Sequence, residues 1–263
     1  CIRLTGSNRR SRERQRWYVV SVDLAVMPDW LTATDGAPTE LVVNGEPMPI
    51  DAYLRYHRQR IAFSLSKLQS GERQRALEVG GHPWAMTAGL LDHPAFELCA
   101  TVSAEEVSHW PDDIGLTQRD YQIATPGGRM ATFPNYSANI ERRIFDITGQ
   151  PDVVFACEIV EHLIRAPHVM FLNINRWLPT RGRLFVTTPN GAQFENPLRR
   201  KSRTAAYRAS VYSRHNYLYT LDLLVDLIEL CGFGVTEAGY CNVNPRHGPS
   251  RVLQRCGAAV GPC

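Results

Sequence analysis

Between Arg75 and Cys241 short apolar runs alternate with stretches of helical spacing, and this alternation restricts the fold more than any other feature of the chain. "RALEV" (75–79) reads as a strand that ends at Gly80-Gly81, and "FELCATV" (96–102) as a second. In "SAEEVSHW", Ser103 stands where a helix cap is expected. A third strand is placed at "NYSANIE" (135–141), and "PDVVFAC" (151–157) is a fourth that leads into a helix reaching about Trp177. "GRLFVTT" (182–188) is a fifth, cut off by Pro189. The helix of "TLDLLVDLIELCG" stops at Gly232, and "FGVTEAGYC" supplies a sixth strand. Upstream, Ile50 to Leu68 carries apolar residues at helical spacing. Strands that alternate with helices imply an α/β fold with a mostly parallel sheet covered on both faces. Such sheets bind ligands beyond the carboxyl ends of their strands.

Composition narrows the class. The 263 residues are 44% hydrophobic and 21% charged, enough for one large core in a single domain. No apolar run reaches the roughly 18–20 residues needed to cross a bilayer, so no membrane partner is expected. The basic opening "CIRLTGSNRRSRERQRW" has no apolar segment and does not read as a secretory signal. A net charge of +3 is too small to point to nucleic acid by itself, and Lys67 and Lys201 are the only lysines. The seven cysteines include no CxxC pair, which argues against a zinc cluster or disulfide framework and for a reducing cytoplasm. Residues 1–49 are mixed and turn-rich, a lead-in or small cap. Residues 50–263 form the main domain, with a basic insertion around 198–217.

The fourth strand runs straight into Glu158, Glu161 and His162. Ionisable groups beside a buried strand end are costly unless something pairs with them. Their i, i+3, i+4 spacing gathers them on one face if a helix starts here. Two carboxylates and an imidazole in one place suit a hard divalent cation such as Mg²⁺ or Mn²⁺. Acidic residues are also favoured at a helix start by the dipole alone, so both readings stand. After the first strand, "LEVGGHPW" places two glycines where the chain must turn. It lacks the GxGxxG spacing of a dinucleotide loop, which counts against a nicotinamide enzyme.

Taken in order, "LEVGG", "NIERRIFD", "PDVVFACEIVEHL", "RWLPTRGRLFVTTPN" and "SRHNYLYTLDLLVDLIELCGFGV" resemble class I S-adenosylmethionine-dependent methyltransferases. The likeness is to the type 11 group, especially members of bacterial glycan and natural-product pathways, and spans roughly Tyr56 to Tyr240. It implies a Rossmann-like fold in which Glu78, Gly80 and Gly81 underlie the methionine part of the cofactor. His82 stands where many relatives have a small residue. The family's ribose-binding acid at the end of the second strand is replaced by Thr101, next to Val102, with Ser103 or Glu105 as the available substitutes. The resemblance further implies Glu141 on the adenine side and Cys157 lining the site, although plain core packing accounts for Cys157 equally well.

The E-x-x-E-H pattern looks like the metal motif of ubiquinone-pathway O-methyltransferases and of small-RNA 3′-terminal 2′-O-methyltransferases. In the RNA group a later histidine completes the site, and His215 occupies a comparable place. The implied metal set is therefore Glu158, Glu161, His162 and His215. In metal-free relatives the first Glu and the His fix the loop instead, and His162 or His215 would then serve as general base. Asn190 and Asn196 are further candidates for hydrogen bonds to cofactor or acceptor. The insertion suits the phosphates of a nucleotide-linked sugar, or RNA stacked on Tyr207 and Tyr212. The expectation is methylation of a sugar or other small-molecule hydroxyl, with RNA 2′-O-methylation as runner-up. The missing ribose acid keeps a third reading open, a degenerate fold acting as a binding partner or scaffold. Nothing in the sequence indicates an oligomeric state.

Overall fold

The computed structural model describes residues 2–6, 27–32, 40–67, 72–103, 115–191 and 215–239. The helix expected after Ser103, Glu105, Asn196, and the insertion up to 214 with Tyr207 and Tyr212 lie outside the described residues. No helix among the described residues is long and apolar enough to cross a membrane.

Five parallel strands make the centre of a ten-stranded sheet. In spatial order they are Arg183–Thr187 (β9), Val153–Cys157 (β8), Gln74–Val79 (β4), Phe96–Val102 (β5) and Met130–Ser137 (β7). Both edges are antiparallel. Ile2–Gly6 (β1) inserts between β9 and Phe233–Ala238 (β10). At the other edge Thr117–Ala124 (β6) folds back on β7, and the hairpin of Glu40–Val43 (β2) and Glu46–Pro49 (β3) pairs with β6. The described strands among the first 49 residues thus all belong to this sheet.

Alternation along the strands assigns each face its own core. On one face Ala76, Val153, Phe155 and Phe185 pack against three helices, Asp29–Thr32 (α1), Asp51–Lys67 (α2) and Ala85–Asp92 (α3). Phe155 stands edge-on to Phe96 at 5.4 Å between ring centroids, inside the favourable range for aromatic pairs. On the other face Leu77, Val79, Val154, Ala156, Leu184 and Val186 meet Pro167–Trp177 (α4) and Leu221–Leu230 (α5). Helices on both faces of a parallel centre make this a Rossmann-like α/β fold. Local chemistry sets the helix ends. The Thr220 hydroxyl accepts the Leu223 N–H at 3.3 Å to open α5, Pro167 opens α4, and Gly232 at φ +89° ends α5.

Two expectations change in detail. The third strand occupies 130–137, not 135–141, and is preceded by β6, which sequence reading did not find. Almost every residue of β6 is exposed or half-buried, so it has no apolar alternation to announce it.

Strand order reverses between β4 and β8. The chain proceeds outward from β4 through β5 and β7, then returns to β8 and continues the other way through β9. The carboxyl ends at this reversal carry Glu78, Gly80, Cys157 and Glu158.

Candidate active site

A 3-10 turn, Val160–His162, follows β8, not the α-helix that the i, i+3, i+4 argument required. Glu158 is in the left-handed region at φ +56°, an uncommon state for a residue with a side chain. Its N–H donates to the Thr187 carbonyl at 2.8 Å, carrying the β8–β9 pairing one residue further. The chain therefore bends sharply at Glu158 and presents Glu161 and His162 from a different direction.

Glu161, His162 and His215 are brought together. One ligand atom from each lies within 4.8 Å of the others. The segment that carries His215 is pinned to the 3-10 turn by backbone bonds. The N–H groups of Asn216 and Tyr217 donate to the Glu161 carbonyl at 2.7 and 3.2 Å, and the Asn216 amide donates to the His162 carbonyl at 2.9 Å. Gly191 permits the neighbouring close approach, since a Cβ there would lie 2.8 Å from the Leu218 and Tyr219 carbonyl oxygens.

Glu161 is 1% exposed. The Thr188 hydroxyl donates to its Oε2 at 3.0 Å, while its Oε1 has no hydrogen-bond partner among the described residues and lies 3.9 Å from His162 Nε2. Burial, then the nearby Glu158 charge, pushes its pKa up to about 8. Burial lowers the pKa of His215 against the pull of Glu158, which keeps this imidazole neutral and able to bind a metal or a proton. A divalent ion fits this donor set, because it would give Oε1 a partner and favour the carboxylate form of Glu161 that burial opposes. Bonds of about 2.1 Å reach donors no more than about 4.2 Å apart, so the widest pair must close by about half an ångström.

Glu158 stands apart from this cluster. Its Oε1 is 3.7 Å from Nη1 of Arg60, a buried residue on α2 that sequence reading passed over as part of a helix. Only its odds with the apolar helical face could have flagged it. Arg60 Nη2 donates to the Tyr53 hydroxyl at 2.9 Å, and its Nε has no hydrogen-bond partner among the described residues.

At the end of β4 the chain turns at Gly80-Gly81, and packing closes over the turn. Gly80 sits at φ +86° and donates its N–H to the Val102 carbonyl at 2.8 Å. A Cβ on Gly80 would be 3.2 Å from Ile159 and one on Gly81 2.8 Å from the Trp84 ring, so the protein's own side chains cover both glycines. Glu78 is buried and accepts the Thr87 hydroxyl; burial lifts its pKa to about 8. Glu78, Gly80, Gly81, His82, Cys157, Tyr53, Arg60 and Ser64 line one hollow of about 10 Å³, space for roughly one water.

The remaining candidates are committed elsewhere. Thr101 and Ser103 both donate to the buried Asn135 side-chain oxygen at 2.8 Å. Val102 belongs to the core. Glu141 accepts the N–H groups of Arg165 and Ala166 at 2.7 and 3.0 Å, holding the approach to α4. Cys157 packs on the α2 side within 3.8 Å of the Ser64 hydroxyl, and burial raises its thiol to about 11, too high for a nucleophile at neutral pH.

No protein-family model matches this chain, and neither does any curated protein. Among solved structures, it is similar to a chain from the complex of the Haloferax volcanii Trm112 methyltransferase activator with a methyltransferase. The TM-score is 0.47 at 11% identity, over 67% of this chain and 68% of that one. It is also similar to CalO1, a methyltransferase in calicheamicin biosynthesis, in its SAH-bound form. There the TM-score is 0.43 at 16% identity, over 68% of this chain and half of that one.

Proposed function

We propose that the protein is an S-adenosylmethionine-dependent methyltransferase acting on a sugar or other small-molecule hydroxyl, with a divalent cation at Glu161, His162 and His215. The observation that carries this reading is the convergence of those three groups at the strand-order reversal, with a buried Glu161 oxygen left without a partner among the described residues. Two imidazoles beside one carboxylate favour Mn²⁺ over Mg²⁺, which prefers oxygen ligands. When bound, such an ion supplies Lewis acidity that lowers the pKa of an acceptor hydroxyl.

The chain's own residues do the rest. Thr188 and the Asn216 bonds hold Glu161 and His162 in place, so the acceptor oxygen meets a fixed group. On this reading both imidazoles hold the cation and the hydroxyl proton leaves to solvent water; without a cation, His215, neutral at physiological pH, or His162 beside it takes that proton. The acceptor oxygen forms its bond to the methyl carbon as the bond from that carbon to the sulfonium sulfur breaks. The electron pair of the broken bond stays on sulfur, giving a neutral thioether. Because the hollow beside Glu78 and Gly80 is so small, cofactor entry on this reading requires the Arg60 and His82 side chains to shift.

That same closure, together with Thr101 in the place of an acid, favours a second reading, a methyltransferase-like fold that only binds a partner. Transfer of labelled methyl from S-adenosylmethionine to a panel of sugar hydroxyls, with EDTA and then Mn²⁺, tests both. Incorporation lost on chelation and restored by Mn²⁺ is expected. No incorporation, and no heat on titration with S-adenosylhomocysteine, supports the partner-binding fold.

A further inference from the structure

The layer formed by α4 and α5 keeps much apolar surface in water. α5, "LDLLVDLIEL", is apolar at seven of its ten positions, yet only Leu224 and Ile228 are buried. One apolar stripe is enough for a helix to cover a sheet, and a helix apolar on further sides ordinarily has a second neighbour. Leu223 and Leu230 are 55% and 86% exposed, and Leu172 on α4, Ile164 just before it and Ile144 are exposed as well. Asn173 holds the segment of Ile144 against α4 through its bonds to the Phe145 N–H and the Arg143 carbonyl. Five of the eight large apolar side chains exposed among the described residues thus gather in this layer, while Val42, Leu116 and Met130 lie on the β2–β6–β7 side. Exposed apolar residues are ordinary when scattered singly; gathered on one side they mark a surface that meets a partner.

Charge divides the same layer in two. α5 carries no base, and its three acids, Asp222, Asp226 and Glu229, are all exposed. α4 carries no acid. Around it stand the exposed Arg142, Arg143, Arg165 and Arg176, against one exposed acid, Asp146, which pairs with Arg176. Both helices return the chain from the carboxyl end of one strand to the start of the next, so they run side by side in the same direction. The Asn175 amide donates to the Cys231 carbonyl at 3.0 Å, and the Cys231 thiol to the His168 carbonyl at 3.6 Å. These bonds seam the basic half to the acidic half, one residue from Leu230.

We infer that this layer is the interface between two copies of the chain, related by a two-fold axis that lies in the interface and runs along the helices. That rotation seats α4 of each copy over α5 of the other. Basic then meets acidic twice, and the leucines of the two copies close on one another around the axis. An axis across the helices would instead stack α4 on α4 and α5 on α5, setting like charges opposite. A surface that carries both halves of a complementary pair is satisfied by its own copy, whereas a foreign partner would have to reproduce both halves. Apolar residues at the centre with charges around them are the usual build of such an interface. The inference does not depend on the methyltransferase reading.

The test is sedimentation velocity of the full chain up to about 100 μM, which covers the weak end of the affinities that interfaces of ordinary size reach. The parent should sediment as a dimer. Leu230→Glu, at a side chain already in water, should weaken association at least tenfold with an unchanged circular dichroism spectrum, and Met130→Glu should leave it within twofold. The pairing of α4 with α5 is tested by charge reversal. Arg143→Glu with Arg165→Glu, and separately Asp226→Arg with Glu229→Arg, should each weaken the dimer at least tenfold, because each variant sets like charges opposite in both halves. An equimolar mixture of the two should dimerise again, since both halves of the mixed pair are then complementary. A parent that stays monomeric at about 100 μM overturns the inference. So does a dimer indifferent to Leu230→Glu, or a mixture that associates no better than either variant alone. A monomer whose melting temperature falls with Leu230→Glu also overturns it, and shows that the chain itself covers this face.

Discussion

Glu78→Gln isolates the energetic consequence of burying an acid at the carboxyl end of β4. Burial lifts the pKa of Glu78 from 4.5 to about 8, against the pull of the Thr87 hydroxyl and Arg60. The unfolded chain releases this proton above pH 4.5, whereas the folded protein keeps it until about pH 8. Between those values the folded state binds more protons, so stability falls as pH rises. At ~1.4 kcal/mol for each pH unit between the two values, the fall attributable to Glu78 approaches ~5 kcal/mol. Glutamine fills the same space, can still accept the Thr87 hydroxyl, and has nothing to ionise. Urea denaturation in the presence of EDTA at pH 5, 7 and 8.5 measures the difference. The variant should match the parent near pH 5 and exceed it by about 3–5 kcal/mol at pH 8.5, with unchanged m-values. Glu161 titrates in both proteins and largely cancels from the comparison. Parallel stability profiles for the two proteins would refute the claim that burial holds Glu78 protonated.

Other changes probe the turns and hydrogen bonds that position the site. Gly80→Ala forces a side chain into φ +86° against Ile159 at 3.2 Å, and should lower stability by about 1–3 kcal/mol; an unchanged melting temperature would contradict this. Asn173, fully buried, bonds the Phe145 N–H at 3.0 Å and the Arg143 carbonyl at 2.8 Å. Its replacement by Ala should cost about 2–4 kcal/mol in denaturant unfolding, because two backbone groups lose their partner. Thr188→Val removes the hydroxyl on Glu161 Oε2 and should weaken Mn²⁺ binding about tenfold by calorimetry with little change in melting temperature.

Four strands of the parallel centre, β4, β5, β8 and β9, were legible because most of their residues are buried and glycine or proline bounds them. The residues of β5 were read at their full extent, and those of α2 and α5 within a few residues. What escaped was structure made without apolar pattern. β6 is mostly exposed, β1 is held by neighbours more than two hundred residues away at one side, and β2 and β3 are short. At the site, the types of residue were legible and their geometry was not. Spacing placed Glu158, Glu161 and His162 on one helical face, but a left-handed Glu158 and a 3-10 turn direct Glu158 to Arg60 and leave Glu161 and His162 with His215. Arg60 was invisible because an arginine in an amphipathic helix is ordinarily solvent-facing, and only the packing of α2 over the sheet buries it.

Crystals grown with S-adenosylhomocysteine and soaked in Mn²⁺ give the most direct measurement, an anomalous difference map at the manganese edge. The account predicts a single peak bonded to the Glu161 carboxylate and the imidazoles of His162 and His215, with the nucleoside beside Gly80. A map without a peak there and without a nucleoside beside Gly80 would contradict it.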